Sequence, residues 1–502
     1  MALIFYKNLK KPHKIEKKSL VFSIFQSGVV SNKDESVLEG NVCTDAYNVS
    51  FCDGALKTGL GVEDLKVPES AETPDICHTY NFDESSIDAI QKLWVDRWYN
   101  NNVNKYFYQL LMTGSDNTLY GVILPDIYEG TVVPKSFKLR GKHVSFGRNY
   151  RIENEDCSIF FTDQGMIYSS YTSELIFPNV PEIISCVVHY GNFFGITNTN
   201  RNTLVYTKNL NLKEWDDEQS STIEFLDNRG SFTKLILFND YVYLFREYGI
   251  TKISLYSSKD NFSFTHLYTS TSKIFENSVC VCGDVVLFAT RDGVYKFNGN
   301  SATRIFENYD RYIKNCDNTN CTASCLDGKY YLATKCKFGD GKSVGCEMGD
   351  YVNNILFEFD ITNQDVKIMR GVDVKELLAF DTPFLRRLCV SFNHDNKNKV
   401  GQISFNGKNF EKSNQKFWQS AFSDLGEIGK RKCIKELLIS SKYDCKFEVI
   451  SDEENKVFDI FGQENEQRLQ LSVYGKHFKF AFKTDNENIE IKKPVVFFDV
   501  LQ

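Results

Sequence analysis

The 502-residue sequence predicts an all-β protein: an irregular β-propeller of about six to eight blades, with an N-terminal arm before it and a small C-terminal β-sandwich-like domain after it. Three observations predict this. Aromatic residues make up 14% of the chain, with 41 Phe and 26 Tyr against 4 Trp and 5 Met, and aromatic side chains suit half-buried pleated surfaces. A strand–turn–strand pattern recurs through the middle of the chain. Beyond Trp418 it gives way to longer alternating strands.

A chain this long exceeds what one ordinary hydrophobic core organises, so several domains or a repeat are required. With 42% hydrophobic and 25% charged residues, it is neither disordered nor collagen-like. A formal charge of −7 argues against wholesale coating of nucleic acid. No run of about 18 apolar residues occurs, so no membrane-spanning segment is expected. The basic opening is not followed by an apolar stretch, as a secretory signal would be. The 15 cysteines are therefore read as reduced thiols, many serving as small apolar strand residues.

The arm comes first, over residues 1–92. It is polar and poorly periodic, with one short helix expected near Ser86–Leu93. The propeller follows over 93–415. Its clearest copies are DCSIFFTDQGMIYSS (Asp156–Ser170), HYGNFFGITNTNRNTLVYT (His189–Thr207), FNDYVYLFREYGITKISLY (Phe238–Tyr256) and CGDVVLFATRDGVYKF (Cys282–Phe297). LDGKYYLAT (Leu326–Thr334) is answered by NILFEFD (Asn354–Asp360). Each pairs two apolar runs across a polar turn, and Asp-Gln-Gly and Arg-Asp-Gly supply the positive φ that tight turns need. The copies start roughly 35 to 50 residues apart, the length of a four-stranded blade, and blades bury their faces by stacking radially. The repeats lack the Gly-His dipeptide of intracellular WD repeats, hence the irregular propeller. The C-terminal domain, 416–502, carries KRKCIKELLISS, CKFEVISD, RLQLSVYG, KHFKFAFKTD and VVFFDV, a spacing that suits a small sandwich.

Motifs with chemical meaning are few. Gly341-Lys342-Ser343 imitates the end of a phosphate-binding loop, but Cys336 stands where the pattern needs its first Gly, and the segment reads as a long blade loop. Cys316, Cys321, Cys325, Cys336 and Cys346 form the densest cysteine group and the weak candidate for a metal site. Cys321 and Cys325 have knuckle-like spacing, while Cys336 and Cys346 do not complete it, so strand or loop thiols are the expectation. The seven His make no HxH or HExxH spacing. Asp216 and Asp217 could serve a glycosidase, whose two carboxyls need a defined separation; beside a turn, they read as solvated. No cofactor and no enzymatic activity are expected. Lys7, Lys10, Lys11, Lys14, Lys17 and Lys18 could contact DNA phosphates or a partner, with salt-sensitive binding.

Three segments together resemble the propeller proteins of bacteriophage tails. DAYNVSFCDGALKTGLG (Asp45–Gly61) resembles the opening motif of tail nozzle and related head–tail proteins through Asn48, Gly54, Leu56 and Gly61. Lys234–Asn298 matches a strand pair of that family through Phe238, Asp240, Phe245, Glu247 and Ile250. Gly283, Phe288, Asp292, Gly293, Tyr295 and Phe297, with Gly299 just beyond, continue the match. WQSAFSDLGEIGKRKCIK (Trp418–Lys435) is similar to the entry to the family's C-terminal β domain. The three occur in the family's order and frame most of the chain.

The resemblance implies a structural virion protein made in the host cytoplasm and built into the tail. It would form a homo-oligomeric ring, typically six copies, next to the portal adaptor or tail-tube proteins. Double-stranded DNA would pass its lumen without sequence recognition, and net negative charge would suit a wall that must not grip phosphate. The arm, with Asn48, Phe51, Gly54, Leu56 and Gly61, would be the dock to a neighbour. The alternative is a propeller receptor-binding or glycan-processing, sialidase-like protein, although the repeated Ser-x-Asp-x-Gly-x-Thr-Trp turns of sialidases do not occur.

Overall fold

The computed structural model describes residues 16–22, 25, 28–64, 90–100, 104–114, 119–122, 144–152, 155–170, 174–207, 220–255, 262–337, 351–383, 386–394, 397–409 and 412–501. The chain forms two compact units, Gly61–Ser404 and Met1–Leu60 with Phe405–Gln502. It is an all-β protein of many small sheets, propeller-like in the first unit; the α-helix among the described residues is the five-residue Asp310–Lys314. No helix among them is long and apolar enough to cross a membrane.

Among the described residues, the unit Gly61–Ser404 holds seven small antiparallel sheets in sequence order. Their leading strands are Ile90–Asn100, Val144–Ile152, Ile183–His189, Phe232–Phe238, Cys280–Cys282, Cys316–Leu326 and Asp373–Asp381. The first sheet has three described strands, and the second to sixth have four each. In the seventh, Asp373–Asp381, Arg386–His394 and Lys397–Ser404 are joined by Gly61–Asp64, which pairs with Lys397–Ser404 from Gly401↔Asp64 to Ser404↔Gly61. One turn shows why the hairpins form where the sequence expects them. Gly165 has φ 112°, and a Cβ there would collide with the Phe177 carbonyl. Thr162 Oγ1 caps the turn by donating to Gly165 O at 2.8 Å and accepting from Gln164 N at 3.1 Å.

Every consecutive pair of these sheets packs together. Trp94 and Leu111 of the first sheet meet Val144, Phe160 and Ile167 of the second. Phe161 and Phe193 join the second and third at 5.8 Å, Phe194 and Phe262 the third and fourth at 5.5 Å, and Phe245 and Phe288 the fourth and fifth at 5.6 Å. Tyr330 donates its hydroxyl hydrogen to Ser278 O at 2.7 Å between the fifth and sixth. Ala379 N donates to Ser324 Oγ at 2.8 Å between the sixth and seventh. Finally Leu93, Tyr108, Leu110 and Met112 of the first sheet share a core with Phe380, Cys389 and Val400 of the seventh. Aromatic residues thus join several of these seams, in edge-to-face and tilted pairs that add to the burial of their area.

Among the described residues, the other unit is built from two sheets. One runs Val49–Cys52, Ala55–Thr58, Glu490–Leu501, Arg431–Ser441 and Gln467–Gly475, with Glu16–Val21 also paired to Glu490–Leu501. The second runs Cys43–Tyr47, Lys416–Ser420, Phe478–Thr484, Cys445–Ser451 and Asn455–Ile460. Trp418, 1% exposed, anchors the core, with Phe22 at 5.6 Å, Phe25 at 5.4 Å and Phe482 at 5.7 Å between ring centres.

This division differs from the expected one in two ways. Residues 16–58 do not form a separate arm: their strands complete both sheets of the second unit, and the propeller-like unit begins at Gly61, with the boundary after it at Ser404 in place of 415. These strands are four to six residues long, too short for alternation to stand out. Leu93, expected at the end of a helix, lies in the strand Ile90–Asn100; residues 86–89 of that helix fall outside the described residues. So do Asp216, Asp217 and the segment 341–343.

Candidate functional site

The residues expected to dock a partner are largely spent inside the chain. Asn48, fully buried with φ 57°, turns the chain between Cys43–Tyr47 and Val49–Cys52, and its Nδ2 donates to Gln415 O at 2.7 Å. Leu56 is fully buried. Gly54, φ 70°, makes the turn to Ala55–Thr58, Phe51 is half-buried on the strand before it, and Gly61 opens the strand Gly61–Asp64. Of the basic opening, Lys7, Lys10, Lys11 and Lys14 fall outside the described residues. Lys17 and Lys18 lie on Glu16–Val21, where Lys18 forms an ion pair with Glu427 and stands 3.5 Å from Glu16.

The cysteine group does not converge as a metal site. Cys325 is bonded to Cys282 in a disulfide that joins the leading strands of the fifth and sixth sheets, with Cα atoms 5.5 Å apart. This corrects the expectation of thiols throughout. Such a bond depends on which strands the fold brings side by side, and sequence spacing does not contain that. Cys316 and Cys336 are register partners across two strands. Cys321 is buried, and burial raises its thiol to about 12. Cys346 falls outside the described residues, and among the described residues no group of three His, Cys, Asp or Glu could hold a metal.

Two polar assemblies in the propeller-like unit were not foreseen. The first is a cavity of about 680 Å³ lined by Arg201, Glu247, Tyr248, Lys273, Glu276 and Arg291, with Ser231, Thr233, Thr271, Ser272 and Thr319 supplying hydroxyls. Its lining comes from the third to sixth sheets and their connections. Arg201 Nη1 meets Glu276 Oε2 at 2.8 Å, and Lys273 Nζ meets Glu247 Oε1 at 2.7 Å. Burial pushes the Glu247 carboxyl up, but Lys273, the Ser231 N–H and the charge of Arg201 together hold it below its ordinary value. Gly230, φ 76°, lets the chain pass this carboxylate, since a Cβ there would stand 2.8 Å from Glu247 Cβ. Beside the cavity wall, fully buried Arg246 lies 2.6 Å from Asp227 and donates to Gly230 O at 3.0 and 3.2 Å. Thr233 is 5% exposed, and its Oγ1 has no hydrogen-bond partner, an unusual state for a buried hydroxyl.

The second assembly draws on the leading strands of four sheets. Glu376 of the seventh lies 3.4 Å from Thr322 Oγ1 of the sixth. Burial raises its carboxyl, while the charges of Lys92 from the first sheet and Lys234 from the fourth oppose that rise. Lys234 also donates to Val279 O at 2.9 Å. A sequence signal for this cluster exists: Lys92, Lys234 and Glu376 each stand immediately before a buried Leu in the leading strand of a sheet, in IQKLWV, FTKLILF and VKELLAF.

The chain matches no protein-family model and no curated protein. Among solved structures it is similar to that of the extracellular domain of a one component system from B. thetaiotaomicron, at 12% identity with a TM-score of 0.40. The likeness covers 87% of this chain, which spans 58% of the length of that protein.

Proposed function

We propose that the chain is a structural protein of a bacteriophage tail, similar to nozzle or head–tail connector proteins, and that Gly61–Ser404 is a seven-bladed propeller closed on itself. The observation that carries this reading is the double use of the N-terminal segment. Residues up to Thr58 complete the sheets of one unit, and the next strand, Gly61–Asp64, supplies a strand of the other unit's last sheet. A strand paired on both sides in this way leaves fewer open edges, which favours a stiff block over one that pairs indiscriminately. The motif that resembles the phage proteins, Asn48 to Gly61, is this same segment. Copies of such a block would close into a ring, typically of six, through one repeated heterologous interface. The ring would sit beside the portal adaptor or tail-tube proteins, with double-stranded DNA passing through its lumen. The net charge of −7 suits a wall along which phosphate slides. Native mass spectrometry and electron microscopy of the purified chain, alone and with the adaptor, test this. A ring of fixed copy number is expected, and a monomer at all concentrations with no adaptor binding rejects the reading.

A second reading, a receptor- or glycan-binding propeller, is favoured by the polar cavity with its unpartnered Thr233 hydroxyl. Hydroxyls, ion-paired carboxylates and guanidinium groups beside Tyr248 and Phe275 are groups that hold polyhydroxylated ligands. Glycan-array binding that Thr233→Val and Arg201→Ala abolish would establish it, and an array without signal would dismiss it.

A further inference from the structure

The thiols of Cys316 and Cys336 have no part in the reading above, yet the fold brings them together. They are direct register partners on the antiparallel strands Cys316–Leu326 and Lys329–Cys336, and residues opposite one another in such a pair have Cα atoms about 4.5–5.5 Å apart. That lies within the range of about 4.4–6.8 Å that a disulfide spans. Both sulfurs are turned to one acceptor, the carbonyl oxygen of Tyr312, at 3.1 Å from Cys316 and 4.0 Å from Cys336. Both residues are buried, 7% and 5% exposed. The disulfide Cys282–Cys325 ends on the same strand as Cys316.

We propose that Cys316 and Cys336 are a second oxidisable pair, which a small disulfide of the glutathione class converts into a disulfide across the two strands. The chemistry is thiol–disulfide exchange. One cysteine thiolate attacks a sulfur of the small disulfide and expels one small thiolate, leaving a mixed disulfide. The second cysteine thiolate attacks the protein sulfur of that mixed disulfide, forms the Cys316–Cys336 bond and expels the other small thiolate. Two cysteines are oxidised, one small disulfide is reduced to two thiols, and the two cysteine protons end on the expelled sulfurs. Burial holds the Cys316 thiol well above its ordinary range, which keeps the thiolate scarce and makes the exchange wait on local opening of the strand pair. The product would extend the covalent path from the fifth sheet through the leading strand of the sixth into its second strand.

The test uses the full chain in its native state, held with glutathione disulfide until its alkylation pattern stops changing, then alkylated, digested without reductant and mapped by mass spectrometry. A peptide pair joined through Cys316 and Cys336, lighter by two hydrogens than the two free peptides, is expected. In Cys316→Ser the remaining Cys336 should instead keep a glutathione adduct, and Cys336→Ser should give the mirror result should the first variant not fold. Separate alkyl groups or separate glutathione adducts on both cysteines of the unmodified chain would overturn the proposal.

Discussion

Gly61 and Ser404, the first and last residues of the propeller-like unit, are register partners in one sheet. The strand that Gly61 opens therefore ties the beginning of this unit to its end. Val62 beside it is fully buried and pairs with Ile403, so this tie is a packed strand as well as a ladder of hydrogen bonds. A proline at Val62 cannot donate to the ladder and removes part of the buried side-chain contact, so it should weaken this pairing. Hydrogen exchange should show lost protection in Lys397–Ser404 for Val62→Pro, and unchanged protection there would show that Gly61–Asp64 does not hold that strand.

Trp418 is the hub of the second unit's aromatic core. Replacing it with Ala should destabilise that unit by about 3–5 kcal/mol, the range for removing a large buried aromatic. Denaturant unfolding checks this. A loss below about 1 kcal/mol would mean that Phe22, Phe25 and Phe482 refill the space.

Glu427 carries a pH dependence. The hydrogen bonds from Lys18 and Lys430, the second at 2.8 Å, push its carboxyl down to about 2. The folded state thus binds this proton less readily than the unfolded chain. The stabilisation is present above the ordinary carboxylate value and is lost as pH falls from there towards 2. Thermal midpoints of Glu427→Gln should vary less with pH over that interval than those of the unmodified chain, and identical slopes would contradict the assignment.

Arg246 is fully buried against Asp227. Asp227→Ala leaves that guanidinium without its carboxylate and should destabilise the fold, by less than the roughly 3–5 kcal/mol of a fully buried pair because Asp227 is exposed. Arg246→Met, which keeps much of the apolar stem and removes the buried charge, should cost less than Asp227→Ala. Urea midpoints of the two variants give the comparison, and the reverse order would overturn the account.

Glu376 tests the convergence of four leading strands. Burial holds its carboxyl above the ordinary range, so the folded state keeps this proton to higher pH than the unfolded chain. Its contribution to stability therefore falls as pH rises through the carboxylate range. Glu376→Gln should remove that fall, as followed by thermal midpoints, and Lys234→Met should steepen it by taking away an opposing charge. A slope insensitive to both substitutions would place these groups too far apart to interact.

The hairpins were legible because their information is local. In Asp156–Ser170 an apolar run, a turn with Gly165 and a second apolar run lie within 15 residues, and the structure pairs Thr162 with Gly165 as the pattern requires. The strands Glu16–Val21 and Cys43–Tyr47 were not legible, because the faces that bury them belong to Glu490–Leu501 and Lys416–Ser420 at the far end of the chain. The polar cavity was equally hidden, since Arg201, Glu247, Lys273 and Arg291 come from separate turns with no common motif.

The sequence by itself determined that this protein is all-β, where its turns fall and why it needs so many aromatic residues, since alternation and turn chemistry act over a few neighbouring residues. Tertiary structure alone decided that the N-terminal segment contributes strands to both units, that Cys282 finds Cys325, and that Lys92 and Lys234 oppose the effect of burial on Glu376. Those pairings join segments tens to hundreds of residues apart. The entropy of closing such loops grows only slowly with length, so complementary buried faces select the partner, and a local pattern such as a charged residue before a strand Leu does not name it.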